Sequence, residues 1–398
     1  MVFGAAGSEL TLVDRTYLDH CASAPLLPEA RAAVVSALDV VGNASSVHGH
    51  GRAARALIEA ARRQVASMAG ATPKQVVFTS SASEAITQAI GAGAKALGCT
   101  DVVISAGEHK AVMRAADASG LRVSVIGLDA DGRIDVAALA ELLVAAEDRG
   151  PTFLVAVHAV NSETGIVQDM QRTGALVGAS RHFLFVDAVQ AFGKLPLDFA
   201  ASAADMMAVS AHKIGGPQGV GALLMKAHCD DVRLIPGGGQ EVGRRGGTEP
   251  LSLIAGFGAA TEHFAVRLEA ANAPALISEF EARLMEICPD AVIFGAQAKR
   301  SGFVSNFALP GHQHATSLMQ LDLKGISVSS GSACSSGKVS RSHVLDAMHV
   351  AHDLSECALR VSVGWNSTHE DIARLISALE EILNLKGAKA PNRIRATA

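Results

Sequence analysis

No apolar run in the 398-residue chain approaches the ~18–20 residues needed to span a bilayer, so no membrane segment is expected. The start, Met1 to Arg15, lacks a basic region followed by an apolar one and carries Glu9 and Asp14, which does not read as an export signal. Basic charge is in no surplus either. The net charge is -5 with 18% charged residues, which gives no electrostatic reason to expect nucleic acid or an anionic membrane as partner. The six cysteines, Cys21, Cys99, Cys229, Cys288, Cys334 and Cys357, include no Cys-x-x-Cys and no zinc-like spacing. Free thiols in a reducing, cytoplasmic setting and no metal site are therefore expected. A dinucleotide fingerprint is also missing, because Gly91, Gly93 and Gly98 fall within or after a helical pattern rather than between a strand and a helix.

What is present is a set of apolar strands that each end in polar residues. Length alone makes two domains the natural expectation. Val76 to Phe78 runs into Thr79-Ser80-Ser81-Ala82-Ser83-Glu84 and then a helical stretch, an arrangement that suits either helix capping or phosphate binding by free backbone N–H groups. Val102 to Ser105 hands over to Gly107-Glu108-His109-Lys110, Phe153 to Val157 ends in His158 to Gly165, and Phe183 to Val186 ends in Asp187-Ala188-Val189-Gln190. Strands alternating with helical patterns and all delivering polar groups from their ends indicate an α/β domain with a mostly parallel sheet. The clusters should converge. Asp187, a carboxylate just past a buried strand, calls for a cation.

The most informative stretch is Asp205 to Ala222. Met206 to Val209 reads as a buried strand, and the glycines and Pro217 turn the chain into a second apolar run, Val220 to Met225. Lys213 sits between them. An ammonium there either snorkels out of the hairpin or is used covalently, as a Schiff-base lysine. Beyond it, Ile235 to Thr248 is a Gly/Arg loop that suits either an anion across an interface or a flexible surface. Arg52, Arg55, Arg62 and Arg63 alternate with apolar residues between Gly51 and Ala69, the pattern of a solvated helix face. From about Leu253 onward, helical patterns and short strands suggest a smaller α+β domain. In it, Cys334 lies among Ser329, Ser330, Gly331, Ser332, Ser335, Ser336 and Gly337, where nothing packs, so it reads as an exposed thiol. Arg360 opens a strand pattern, where a guanidinium can grip a carboxylate.

Together these stretches resemble the cysteine desulfurases of the NifS/IscS kind, within the class V aminotransferase-like pyridoxal phosphate enzymes. The resemblance runs from about Tyr17 to Ile382 and rests on Tyr17-Leu18-Asp19-His20, Gly42-Asn43 through Ser45-Ser46 to His48, and Phe78-Thr79-Ser80 through Ala82-Ser83-Glu84. It continues in Glu108 to Val112, Val186-Asp187-Ala188 with Gln190, Ser210 with His212-Lys213-Ile214 and Gly216-Pro217, and Ser329 to Cys334. The resemblance implies a fold-type I enzyme, with a large cofactor-binding domain over 16–265 and a small domain from 1–15 and 266–398. It implies that Lys213 holds pyridoxal 5'-phosphate as a Schiff base and acts as base, that Asp187 pairs with the ring nitrogen, and that Gln190 contacts the ring oxygen. His109 stacks on the ring and shuttles protons. Ala82, Ser83, Ser210 and His212 hold the phosphate, with Thr248 reaching in from the other subunit of a homodimer. Arg360, supported by Asn43, anchors the carboxylate of L-cysteine. Cys334 takes the substrate sulfur as a persulfide and passes it to an acceptor or scaffold protein for iron–sulfur or other thio-cofactor synthesis.

Two departures stand out. The family reads Asn-Asn-Glu where this chain has Asn161-Ser162-Glu163, so Ser162 takes the place of a ring-contacting Asn. Neighbouring strand residues point oppositely, which argues against Asn161 replacing it. Cys21 stands where small residues are usual, and Ala44 replaces a common proline; a thiol near the site is an oxidation liability.

Overall fold

The computed structural model describes residues 15–147, 150–233, 235–330 and 341–387. Cys334 and the serines after it lie outside them. Among the described residues twelve strands run in order: β1 Thr16–Tyr17, β2 Val76–Thr79, β3 Asp101–Ser105, β4 Arg122–Ile126, β5 Phe153–His158, β6 Phe183–Asp187, β7 Met206–Ser210, β8 Gly221–Met225, β9 Val292–Ile293, β10 Val304–Ala308, β11 Ile326–Ser327 and β12 Ala358–Ser362.

Seven of them form one sheet, in the order β2-β8-β7-β6-β5-β3-β4. Within it β7, β6, β5, β3 and β4 pair in parallel, and β8 is antiparallel to both its neighbours, so β8 alone runs against the rest. The reason is connection length. A parallel crossover takes a dozen residues or more, and only the short segment carrying Lys213 separates β7 from β8. Gly215 helps the chain turn there. It sits at φ +70°, and a Cβ on it would meet Leu27 Cγ at 2.7 Å.

The central strands are buried on both faces, which explains their nearly continuous apolar sequences. Val103, Val155, Leu184, Val186 and Met207 face one apolar layer, while Val102, Ile104, Leu154, Phe185 and Met206 face the other. Helices Gly49–Ala69 and Leu251–Ala270 cover the first, and Ala85, Ile86, Val112 and Ala116, from helices Ala82–Thr87 and Lys110–Ala118, the second. Full burial of a side chain such as Phe185 contributes about 1.5–3 kcal/mol. Because six strands run the same way, their carboxyl ends open on one edge. The polar clusters that follow β2, β3, β5, β6 and β7 meet there.

The C-terminal part holds an antiparallel sheet, β12-β10-β9, backed by helices Ala273–Ile287 and His369–Gly387, with Phe280 and Phe307 ring centroids 5.1 Å apart. The opening strand is shorter than the stretch Tyr17 to His20 suggests, because the Tyr17 hydroxyl donates to the carbonyls of Asp19 (3.0 Å) and Ser23 (2.7 Å) and closes the chain into a turn. This segment joins the C-terminal part: β1 pairs with β11, and Asp19 bridges to Ser362. Residue 265, where the sequence placed the end of the large domain, lies within helix Leu251–Ala270.

Two sequence expectations are corrected. Arg62 is not on a solvated face. Its guanidinium donates to both oxygens of Glu241 (2.7 and 2.8 Å) and to the Val76 carbonyl (2.9 Å), and it lies 5.0 Å from the Phe78 ring centroid. Nor is the stretch 235–248 a loose loop with arginines free for an anion. Arg244 pairs with Asp230 (2.7 Å) and Arg245 with Glu84 (2.9 Å), while Glu241 also accepts from Phe78 N at 2.9 Å. Carboxylates of the same chain hold those charges.

Candidate active site

At the carboxyl edge of the large sheet lies a cavity of about 350 Å³. Its lining includes nine of the residues singled out from sequence: Ala82, Ser83, His109, Ser162, Asp187, Gln190, His212, Lys213 and Arg360. Ser210 is buried at the end of β7 and is not part of the lining. Thr248 is exposed and outside this chain's own cavity. Asn43 is also outside it, in an exposed loop where its Oδ1 accepts from Ser45 N at 2.8 Å. Cys334 lies outside the described residues.

Lys213 occupies a short helical turn, Ala211–Lys213, directly after β7. Its ammonium donates to the carbonyls of Cys21 and Ala22, the latter at 2.8 Å. Burial brings its pKa down to about 8, with Lys194 and Arg360 adding positive charge around it. About a tenth of the amine is therefore unprotonated at pH 7, far more than for an ordinary lysine, and able to attack a carbonyl. Gln190 shares the Cys21 carbonyl through its Nε2 (3.0 Å), and its Oε1 accepts from Lys194 Nζ (2.8 Å). An ammonium can only donate, so Lys194 fixes the amide orientation and turns Nε2 toward the cavity side.

Asp187 closes β6, and its carboxylate accepts from Val189 N at 3.0 Å, the only hydrogen bond of that side chain among the described residues. Burial, reinforced by the nearby Glu108 charge, pushes its carboxyl up to about 6. A cation in the cavity would hold it ionised. His109 caps helix Lys110–Ala118, with Nδ1 accepting from Ala111 N at 3.2 Å, which leaves Nε2 as the protonated nitrogen. Its exposed surface faces the cavity, and desolvation together with Lys213 lowers its pKa. His212, with Nδ1 3.4 Å from Ser23 Oγ, is brought down to about 4 by burial and by Lys213.

Arg360, on β12, reaches in from the C-terminal part. Its guanidinium donates to Asp19 Oδ1 (2.7 Å) and to the Ser162 carbonyl (3.0 Å), and its Nε is buried without a partner. Ser162 lines the cavity. Asn161 does not take its place, because its Oδ1 accepts from Glu163 N (2.9 Å) and Thr164 N (3.0 Å) and its Nδ2 donates to the Gly107 carbonyl (3.0 Å).

Several lining residues escape sequence reasoning. Glu163 is buried, accepts from Ser342 Oγ, and is pushed up to about 7 by burial. His343 donates through Nε2 to the Glu108 carbonyl (2.9 Å), which leaves Nδ1 buried without a partner. Glu108 and His158 bond each other at 2.7 Å. Glu108, His158 and Glu163 lie in strand-end clusters that the sequence marked without giving them a role, and only His343 carried no signal.

The donor set suits pyridoxal phosphate. A weakly basic amine faces a carboxylate without a cation, and the start of helix Ala82–Thr87 opens into the same space. Gly221 permits that approach, since a Cβ there would stand 2.9 Å from Ala82 N.

Comparison with known proteins agrees. The aminotransferase class-V family model matches residues 16–375, and the chain belongs to that family of pyridoxal-phosphate-dependent enzymes with the fold-type I architecture. It is 36% identical over 392 residues to a cysteine desulfurase of Cereibacter sphaeroides, covering 95% of this chain and 98% of that protein. The cysteine desulfurase IscS of Dictyoglomus turgidum is 32% identical over 375 residues, 92% of this chain and 94% of its own length. The solved NifS-like protein of Rickettsia africae superposes with a TM-score of 0.82 at 31% identity, covering 93% of this chain and 99% of its own. Within the family, the chain is one of the NifS/IscS-like cysteine desulfurases.

Proposed function

We propose that the protein removes sulfur from L-cysteine, releasing L-alanine and leaving a persulfide on Cys334 that is handed to a sulfur-acceptor or scaffold protein for iron–sulfur cluster or other thio-cofactor synthesis. The observation that carries this reading is the pairing, in one cavity, of the weakly basic Lys213 amine with the cation-free Asp187 carboxylate and the Arg360 guanidinium.

Lys213 would hold the cofactor covalently and Asp187 its ring nitrogen, with Gln190 at the ring oxygen, Ser162 in the place of a ring-contacting Asn and His109 against the ring face. Ala82, Ser83, Ser210 and His212 would hold the phosphate. When bound, pyridoxal phosphate supplies an electron sink for the carbanion formed at the substrate α-carbon. This chain's residues do the rest. Arg360 grips the substrate carboxylate, and the free Lys213 amine takes the α-proton. Sulfur transfer forms an S–S bond from the Cys334 thiolate to the substrate sulfur as the substrate C–S bond breaks. The electron pair left on carbon collects protons delivered through Lys213 and His109, which yields alanine and balances the step.

Thr248 is exposed and outside its own chain's cavity, which supports a homodimer in which it serves the partner's phosphate site. The described cysteines, Cys21, Cys99, Cys229, Cys288 and Cys357, are all unpaired, which supports a reducing, cytoplasmic setting. Among the described residues no helix is long and apolar enough to cross a membrane. The domain division follows the same reading, with a large cofactor-binding unit over 16–265 and a small unit from 1–15 and 266–398 carrying Cys334.

The test is alanine and sulfide production from L-cysteine by wild type, Lys213→Ala and Cys334→Ser. Both variants should lose turnover, and only Lys213→Ala should also lose the absorbance of covalently held cofactor. A Cys334→Ser enzyme running at full rate would exclude the persulfide route.

A further inference from the structure

Three side chains at the cavity wall are left unused by the proposed chemistry: Glu108 and His158, which belong to the lining, and Gln168 behind them. The backbone fixes the Gln168 amide, whose Oε1 accepts from Ile134 N at 2.9 Å and whose Nε2 donates to the Gly132 carbonyl at 3.0 Å. The second Nε2 proton therefore faces His158 Nε2, 3.2 Å away. A ring nitrogen met by an N–H donor must present its lone pair, so His158 Nε2 carries no proton. The ring proton sits on Nδ1 and is donated to Glu108 Oε1 at 2.7 Å.

Glu108 is fully buried. Its Oε1 also accepts from Ser105 Oγ (2.5 Å) and His158 N (3.0 Å), while Oε2 is buried with no partner. A second proton on the pair has no acceptor waiting at Oε2 and meets a donor at Nε2. Burial disfavours a charged ring while the Glu108 charge raises the His158 pKa overall, and it is the donor at Nε2 that holds the pair as a neutral imidazole beside an anionic carboxylate. His158 is the register partner of Asp187 across β5 and β6, so the Glu108 charge stands close to that carboxylate, with Lys213 the facing cation.

We propose that Gln168 is a positioning residue that keeps His158 neutral and Nδ1-protonated, so that the Glu108 charge stays uncancelled beside Asp187 and strengthens its hold on a protonated ring nitrogen. An imidazolium at this position would neutralise Glu108 and draw Asp187 toward itself. The inference rests on the reading of Asp187 as the ring-nitrogen partner, but its first test does not involve the cofactor.

Histidine ring nitrogen NMR of cofactor-free wild type at about neutral pH, with the His158 signal assigned by its loss in His158→Gln, should show one protonated nitrogen, Nδ1, and one bare nitrogen. An imidazolium or an Nε2-protonated ring overturns the proposal. Gln168→Glu keeps the side-chain shape but places an acceptor oxygen opposite Nε2. That variant should show an imidazolium and bind pyridoxal phosphate about tenfold more weakly, the equivalent of one pKa unit. Wild-type affinity in Gln168→Glu, with affinity lost in Asp187→Ala, overturns this inference alone. Wild-type affinity in Asp187→Ala sinks the reading of Asp187 and the inference with it.

Discussion

Glu241 and Asp187 are buried to nearly the same degree, 6% and 7% exposed, yet their surroundings are opposite. Glu241 receives two hydrogen bonds from Arg62 and one from Phe78 N, and joins the loop 235–248 to helix Gly49–Ala69 and β2. The Asp187 carboxylate has one backbone N–H and no cation hydrogen-bonded to it among the described residues. A carboxylate that serves the fold brings its counter-charge with it, whereas one that serves a ligand leaves the place open. The same contrast separates Lys213 and Glu163, both pushed toward neutrality in the cavity, from Arg300 and Glu281, which pair outside it.

The contrast breaks most clearly by exchange of roles. Asp187→Asn should lower alanine production from L-cysteine by roughly 10²–10³-fold, the scale of losing one preorganised electrostatic partner, while leaving unfolding midpoints nearly unchanged. Arg62→Met should do the reverse. It strands the Glu241 carboxylate and should cost on the order of 3–5 kcal/mol of stability in denaturant titrations, with cofactor affinity of the folded fraction retained. If Arg62→Met abolished cofactor binding at wild-type stability, the division between fold and site would fail.

Glu163 gives a finer test. Its carboxyl is raised to about 7 in the folded protein, above its ordinary value, so the unfolded chain gives up this proton first as pH rises. Stability from this group is complete below about pH 4.5 and is lost as pH climbs to about 7. Glu163→Gln should remove that slope and stabilise the protein by about 1–2 kcal/mol at neutral pH, read from unfolding midpoints across the range. Lys213 supplies the smallest effect. Capture of pyridoxal phosphate by cofactor-free protein should accelerate as pH rises through about 8, where the amine loses its proton, and then level off. A rate that keeps rising toward the pKa of an ordinary lysine would show that the cavity does not tune this amine.

Much of this site was legible in the sequence because it is built from strand ends. An apolar run followed by small or polar residues marks the carboxyl edge of a parallel sheet, and five such runs brought Ser83, His109, Ser162, Asp187 and Lys213 together as expected. What stayed hidden depends on partners distant in the chain. Arg62 looked solvated because Glu241 lies 179 residues away, and the arginines of 235–248 looked free because Glu84 and Asp230 complete them only in three dimensions. His158 gave no sign of its tautomer, since that depends on a glutamine whose amide is oriented by two backbone groups of another loop. The resemblance gave roles to Asn43 and Thr248, yet neither lines the cavity of this chain.

The most direct test of the central claim is mass spectrometry of the Cys334 peptide after the cofactor-loaded enzyme has met L-cysteine and been trapped with an alkylating agent. Cys334 should carry one additional sulfur atom in wild type and none in Lys213→Ala. Alanine formed at the wild-type rate with no added sulfur on Cys334 would contradict the account.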